Sequence, residues 1–258
     1  MDSEPDFYEI KTLLEWQIDL GVTEAICDTP VNRFEIPDVL VKPKSAVAVS
    51  DPEPVAKIDA VAVACEMTAG VSDLSGLQAA LGGFELCELK KGARNLVFAD
   101  GDAAARVMII GEAPGRDEDR EGRPFVGRAG QLLDKMLGAI GMAREGVDAA
   151  ASVYITNVLP WRPPQNREPE ADEIAMLLPF LRKHVELVQP DFLVLMGNVS
   201  CQAVLGRKGI TRLRGSWTAA FDLPVLPMFH PAYLLRNPAA KREAWHDLLM
   251  LQARLRQG

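Results

Sequence analysis

Four short apolar runs, each followed by a stretch with helical spacing, constrain this chain more than any other feature. They are Arg-Val-Met-Ile-Ile-Gly at 106–111, Val-Tyr-Ile-Thr-Asn at 153–157, Asp-Phe-Leu-Val-Leu-Met at 191–196 and Pro-Val-Leu-Pro-Met-Phe at 224–229. A strand that is apolar at consecutive positions has both faces covered, and such strands separated by helices form a parallel sheet with helices on each side. The helical stripes are Leu132, Leu133, Met136, Leu137 and Ile140, then Ile174, Leu177, Leu178 and Leu181, then residues 199–205 and 244–255. The expectation is an α/β chain, a three-layer α/β/α arrangement around a central four-stranded parallel sheet. Ligands of such sheets bind beyond the carboxyl ends of the strands. Those ends carry Gly-Glu-Ala-Pro-Gly at 111–115, Asn-Val-Leu-Pro-Trp at 157–161, Gly197-Asn198 and His230-Pro231, so glycine and polar residues converge where a site belongs.

Residues 72–258 suffice for this domain, which is expected to begin with a helix that Asp73 or Ser75 can cap and Gly82-Gly83 can end. Ahead of it, prolines at 30, 37, 43, 52 and 54 interrupt any periodicity, and residues 29–71 read as an extended linker. Residues 1–28 read as an acidic N-terminal helical segment, with Ile10, Leu13, Leu14 and Ile18 on one stripe and Gly21 as a stop. It is a candidate docking element for a protein partner. The net charge of -8 argues against a nucleic-acid ligand until its distribution is counted: residues 1–80 hold 15 acidic against 5 basic side chains, leaving 21 against 23 in the remainder. The acidity sits in the N-terminal third, and the domain itself is compatible with phosphate.

No apolar run approaches the ~20 residues needed to cross a bilayer. The N-terminus carries Asp2, Glu4, Asp6 and Glu9 where a secretory signal carries Lys or Arg, so a cytoplasmic monomer is expected. Cys27, Cys65, Cys87 and Cys201 are scattered without a C-x-x-C pair, which argues against a disulfide framework and a self-evident zinc site.

The loop 111–133 joins a strand to a helix and is rich in glycine, but it has neither the Gly-Lys-Ser/Thr ending of a P-loop nor G-x-G-x-x-G spacing. Asp117, Asp119 and Glu121 read as solvated loop acids. Glu112 directly follows a strand, and Phe125 is an aromatic residue in a polar loop. Taken together, segment 111–133, Asn-Val-Leu-Pro-Trp-Arg-Pro-Pro-Gln-Asn-Arg at 157–167 and His-Pro-Ala-Tyr-Leu-Leu-Arg-Asn-Pro at 230–238 resemble, in order, the three signatures of the family 4 uracil-DNA glycosylases. The resemblance spans roughly residues 74–255 and leaves the first 70 unmatched. It implies a DNA repair enzyme that flips uracil out of uracil-containing DNA and hydrolyses the N-glycosidic bond, leaving an abasic site.

The residues fit that chemistry. Uracil offers an acceptor at O4 and a donor at N3–H, and the Asn157 amide offers one donor and one acceptor in matching order, which cytosine reverses. Phe125 is suited to stack on the base, and by the resemblance Gly111 and Ala113 border the same uracil pocket. His230 can stabilise negative charge developing on uracil O2. The better-known relatives with Gly-Gln-Asp-Pro-Tyr use the Asp to hold a water and the Tyr to exclude thymine, yet Ala113 and Gly115 stand at those places here. Glu112 and Glu118 are the remaining catalytic candidates, with Glu118 alternatively filling the space beside uracil C5. Leu234 and Leu235 resemble a wedge for the gap left by the flipped base, with one of the two expected to dock in the core instead, and with Arg236, Arg162 and Arg167 on phosphate and Lys208, Arg212 and Arg214 adding positive charge. His184 and His246 read as ordinary helical residues.

The same resemblance implies a [4Fe-4S] cluster held by four cysteines, but those positions fall on Phe84, Cys87, Trp161 and Leu177. One thiolate cannot hold a cubane that needs a ligand on each iron. No cofactor or metal is therefore expected, with Phe84, Trp161 and Leu177 packed together in its place. Two other readings stay open: a catalytically weakened DNA-binding or scaffolding member of the same fold, and an α/β hydrolase acting on a nucleoside or nucleotide.

Overall fold

The computed structural model describes residues 11–12 and 59–257. The chain divides into two units, Met1–Val55 and Ala56–Gly258, and the second carries everything that follows. Of the helix expected over 7–20, only Lys11 and Thr12 are described, and both are helical. The remainder of the acidic segment and residues 29–58 lie outside the described residues.

In chain order the elements are α1 (Ala60–Ala69), α2 (Leu74–Gly83), α3 (Leu89–Gly92), β1 (Asp100–Gly101), β2 (Val107–Gly111), α4 (Arg116–Glu121), α5 (Arg128–Gly138), β3 (Val153–Asn157), α6 (Ala171–Val188), β4 (Phe192–Met196), α7 (Asn198–Leu205), α8 (Ile210–Leu213), β5 (Thr218–Ala220), β6 (Leu223–Met228), α9 (Pro231–Arg236) and α10 (Lys241–Leu255). The sheet order is β1-β3-β2-β4-β6-β5. Its four inner strands are parallel and match the four apolar runs. The expected four-stranded sheet is corrected to six by two short antiparallel edges, β1 on β3 and β5 on β6. Strands of two and three residues are too short to show alternation, and the β5–β6 turn places Phe221 and Asp222 at φ 52° and 60°, a hairpin without the usual Asn-Gly signal.

Alternation along each inner strand divides the core between the two helical layers. Met108, Ile110, Leu193 and Leu195 face the side holding Leu77 of α2 and Leu177 of α6. Val107, Ile109, Val194 and Met196 face Leu133 and Leu137 of α5 and Leu248 and Leu251 of α10. Both layers are therefore nailed to the same strands, whose carboxyl ends are held in place from either side.

The linker expected over 29–71 is corrected at its end. Helix α1 lies inside it, capped by Asp59, whose carboxylate accepts the N–H groups of Val61 (3.0 Å) and Ala62 (3.2 Å). Ala64 is fully buried in the core that also contains α6. The proline run stops at Pro54, and the following Ala-Val-Ala-Val-Ala buries methyl groups rather than a stripe of large side chains, so no helical period shows. The compact domain thus begins before Ser72.

Candidate active site

The candidate site is built on two adjacent strand ends. Gly111 and Asn157 are register partners on the last rung of the β2–β3 ladder. A Cβ at Gly111 would collide with Asn157 Oδ1 and come within 2.6 Å of Phe125 Cε2 and Cζ, so only glycine lets the amide and the ring meet over the strand. Asn157 is buried, at 6% exposure.

Phe125 is held in a conformation that a bulky residue avoids, with φ at 54°. Two residues absent from the sequence reading hold it there. A Cβ at Gly130 would run into the Phe125 carbonyl, so the turn closes only over glycine. The Arg144 guanidinium donates to the carbonyls of Pro124 (2.8 Å) and Phe125, and is itself anchored by Asp100 (2.6 Å) and Asp134 (2.9 Å). Arg144 lies 19 residues beyond Phe125 with no local motif, and no signal in the sequence pairs them.

The Phe125 ring lies 5.4 Å from the His230 ring, centroid to centroid, at 28°. A third glycine, Gly197 at φ 96°, lets the β4 end approach, since a Cβ there would sit 3.2 Å from His230 Cβ. Asn157, Gly111, Phe125, His230 and Gly197 thus form one contiguous set drawn from the ends of β2, β3, β4 and β6. His230 also caps α9: its Nδ1 accepts the Ala232 N–H at 3.1 Å. That bond leaves the ring hydrogen on Nε2. Burial, with Arg236 nearby, lowers its pKa to about 4, so at neutral pH His230 is an uncharged donor.

The two candidate carboxylates separate clearly. Glu118 accepts the Gly115 N–H at 3.1 Å through one oxygen and the Gly127 N–H at 2.9 Å through the other, clamping the two ends of the loop. Its two oxygens thus have a structural role in holding this loop. Glu112 is half-buried beside Gly111, and burial, with Glu168, raises its pKa against the opposing pull of Arg236 and Lys208. Ala113 packs against the core on the α6 side.

The residues assigned to DNA also divide. Leu235 and Arg236 are exposed at the end of α9. Leu234 is 1% exposed and packs with Phe229 and Ala244, a correction that follows from its facing the helix pair beneath. Arg167 forms a fork-to-fork pair with Glu173 (2.9 and 2.5 Å) that ties its loop to α6, so its charge is engaged internally rather than free for phosphate. Arg214 is likewise locked on the fully buried Asp247, and Lys208 lies 3.1 Å from Glu168. Arg162 is half-buried, its Nε donating to Asn166 Oδ1 at 2.8 Å. His184 is a core residue bonded to the Tyr154 hydroxyl at 2.9 Å, and His246 is exposed.

A three-layer α/β/α sheet with this polar constellation at its carboxyl edge is the architecture of a base-excising enzyme. Residues 98–249 match the family model of the Uracil DNA glycosylase superfamily. A Type-4 uracil-DNA glycosylase of Sulfurisphaera tokodaii is 39% identical over 166 residues, covering 60% of this chain and 73% of its own length. A Type-4 uracil-DNA glycosylase of Pyrobaculum aerophilum is 36% identical over 187 residues, 69% of this chain and 92% of its own. A Type-5 uracil-DNA glycosylase of the same organism is 37% identical over 53% of this chain and 66% of its own. The chain belongs to the uracil-DNA glycosylase superfamily.

Proposed function

We propose that this chain is a monofunctional glycosylase of DNA repair, excising uracil from DNA as a cytoplasmic monomer. The observation that carries this is the contiguous set Asn157, Gly111, Phe125 and His230, which brings an amide, an aromatic ring and a neutral N–H donor together at the carboxyl edge of the sheet. The flipped base offers N3–H and O4 to the Asn157 amide and its face to Phe125. The C1′–N1 bond breaks with its electron pair leaving on uracil, and the His230 Nε2–H meets the charge collecting on O2. A water oxygen then bonds C1′ of the sugar cation, and the proton it sheds ends on the uracil anion. We assign to Glu112 the orientation of that water and the electrostatic stabilisation of the cation, a reading supported by its half-burial next to Gly111.

A uracil-containing oligonucleotide treated with the protein and then with alkali tests this directly. Breakage confined to uracil positions supports it; retention of DNA without breakage would favour a catalytically weakened DNA-binding member of the fold. For Glu112→Gln, excision should fall on the order of 10- to 100-fold with DNA affinity retained. Because burial raises Glu112 above the ordinary 4.5, the wild-type acid limb should lie above that pH. Its carboxylate is the active form, so rate is lost as pH falls through its pKa, and Glu112→Gln should abolish that acid limb.

The iron–sulfur cluster implied by the family does not fit the residues present. Phe84, Cys87, Trp161 and Leu177 are each 2% exposed or less and belong to one apolar core. Phe84 meets Phe180 edge-on at 5.2 Å, and burial raises the Cys87 thiol, which disfavours the thiolate. Among the described residues no group of three or more His, Cys, Asp or Glu could hold a metal ion. The chain is thus read as working without a cofactor, large apolar side chains tying the same loops by burial worth roughly 1.5–3 kcal/mol each. The purified protein should be colourless, with no iron by elemental analysis and no band near ~400 nm; a brown preparation with stoichiometric iron would refute this.

A further inference from the structure

Four arginines from three separate stretches of sequence line one cleft of about 580 Å³: Arg94 ahead of β1, Arg116 and Arg120 of α4, and Arg162 beyond β3. Asp119 is the one acidic residue in that lining, and it is occupied. Its carboxylate accepts the N–H groups of Arg94 (2.8 Å) and Asn95 (3.2 Å), and the Asn95 amide returns a bond to its carbonyl at 2.7 Å. Asp119 is thus the post that pins the Arg94 segment to α4.

The other nearby acids hold the arginines only loosely. Asp117, half-buried, lies 3.3 Å from Arg120 and 3.8 Å from Arg116, and Glu121 lies 3.1 Å from Arg120, with both arginines and Glu121 exposed. Pairs of that kind are worth ~0–1 kcal/mol and are readily exchanged for a better anion. Arg94 and Arg162 form no ion pair among the described residues, in contrast to Arg144, Arg167 and Arg214, which are all neutralised by close carboxylates. Of the four cleft guanidinium groups, two are thus without an ion pair among the described residues and two are held only by weak ones.

Position supplies the rest. Arg116 and Arg120 follow β2 and Arg162 follows β3, whereas Leu235 and Arg236 follow β6, two places across the sheet. Gly111, Asn157 and His230 lie at the carboxyl ends of these same strands, β2, β3 and β6. We propose that the arginine cleft is a second DNA-backbone site, taking phosphodiester groups on the side of the flipped nucleotide opposite Leu235 and Arg236. Planar guanidinium forks match phosphate oxygens in pairs, and a cleft holding several suits consecutive phosphates of one strand. The inference rests on the reading of DNA as substrate.

The test is the full chain carrying Arg94→Gln, Arg116→Gln and Arg120→Gln together, with binding to a uracil-containing oligonucleotide measured against salt. Affinity at ~0.1 M salt should weaken about tenfold or more, and the log–log salt slope should become shallower by about 2. Single-turnover excision at saturating enzyme should be unchanged, because none of the three belongs to the base pocket. The corresponding Arg→Lys triple should restore the slope, and Arg254→Gln in the last turn of α10 with Arg256→Gln just beyond it should leave it as in wild type. Unchanged affinity and slope in the Gln triple would overturn the proposal. So would a loss confined to binding of inorganic phosphate or of an acidic peptide. If the triple folds poorly, the three single variants carry the same reading, each expected to reduce the slope by ~1 or less. A wild-type chain that binds DNA with this slope yet releases no uracil would sink the glycosylase reading and leave the cleft standing.

Discussion

His230→Ala should slow uracil excision by 10²- to 10³-fold while leaving DNA affinity nearly unchanged. Removing a single preorganised donor from developing negative charge typically costs about 2.7–4 kcal/mol of transition-state stabilisation. The charge on uracil O2 grows only as the glycosidic bond breaks, so the loss belongs to kcat and not to binding. Alanine also removes the cap on α9, since His230 Nδ1 accepts the Ala232 N–H, at a typical cost of ~1 kcal/mol in stability. His230→Ser separates the two effects, for serine can cap but cannot reach the base. If His230→Ser recovers wild-type rates, the catalytic role is wrong.

The pH dependence follows from the same geometry. With its pKa lowered to about 4, His230 is neutral throughout the physiological range, and its titration should leave the rate flat between pH 6 and 8. A cationic catalyst would instead lose rate as pH rises through ~6.5. His184 is lowered to about 4 as well, by burial alone. Both rings bind a proton more readily in the unfolded chain, so their contribution to stability is present above ~6.5 and is lost as pH falls towards 4. Thermal unfolding followed over that window should show a falling midpoint, and His184→Gln should blunt it without touching excision.

Asn157→Asp should cost at least ~100-fold in uracil excision at pH 8. An ionised carboxylate sets its lone pairs against uracil O4 where the amide donated, and a buried polar mismatch of this kind costs a few kcal/mol. Cytosine presents a donor at the corresponding position, so the preference for uracil over cytosine should shrink with the same substitution. Near wild-type excision by the variant would show that base selection lies elsewhere.

The apolar runs at 106–111, 153–157, 191–196 and 224–229 determined the parallel core on their own, because consecutive buried positions have no other low-energy arrangement than a sheet covered on both faces. From that followed the carboxyl edge as the place of the site, and with it Gly111, Glu112, Asn157 and His230. What the linear order could not reveal depends on distance through space. The proline run hid α1, whose burial rests on methyl groups without a stripe. Leu234 and Leu235 are adjacent and chemically equal, and only the packing of α9 on its neighbours sends one inward and leaves the other exposed. Arg162 and Arg167 read alike until Glu173 is found beside one of them. Glu118 and Glu112 differ only in that two backbone N–H groups converge on the first. Arg144 under Phe125, and the gathering of Arg94, Arg116, Arg120 and Arg162 around one cleft, bring together side chains from separate stretches of the chain. A charge acquires its role from the partner that neutralises it, and that partner is chosen by the tertiary structure.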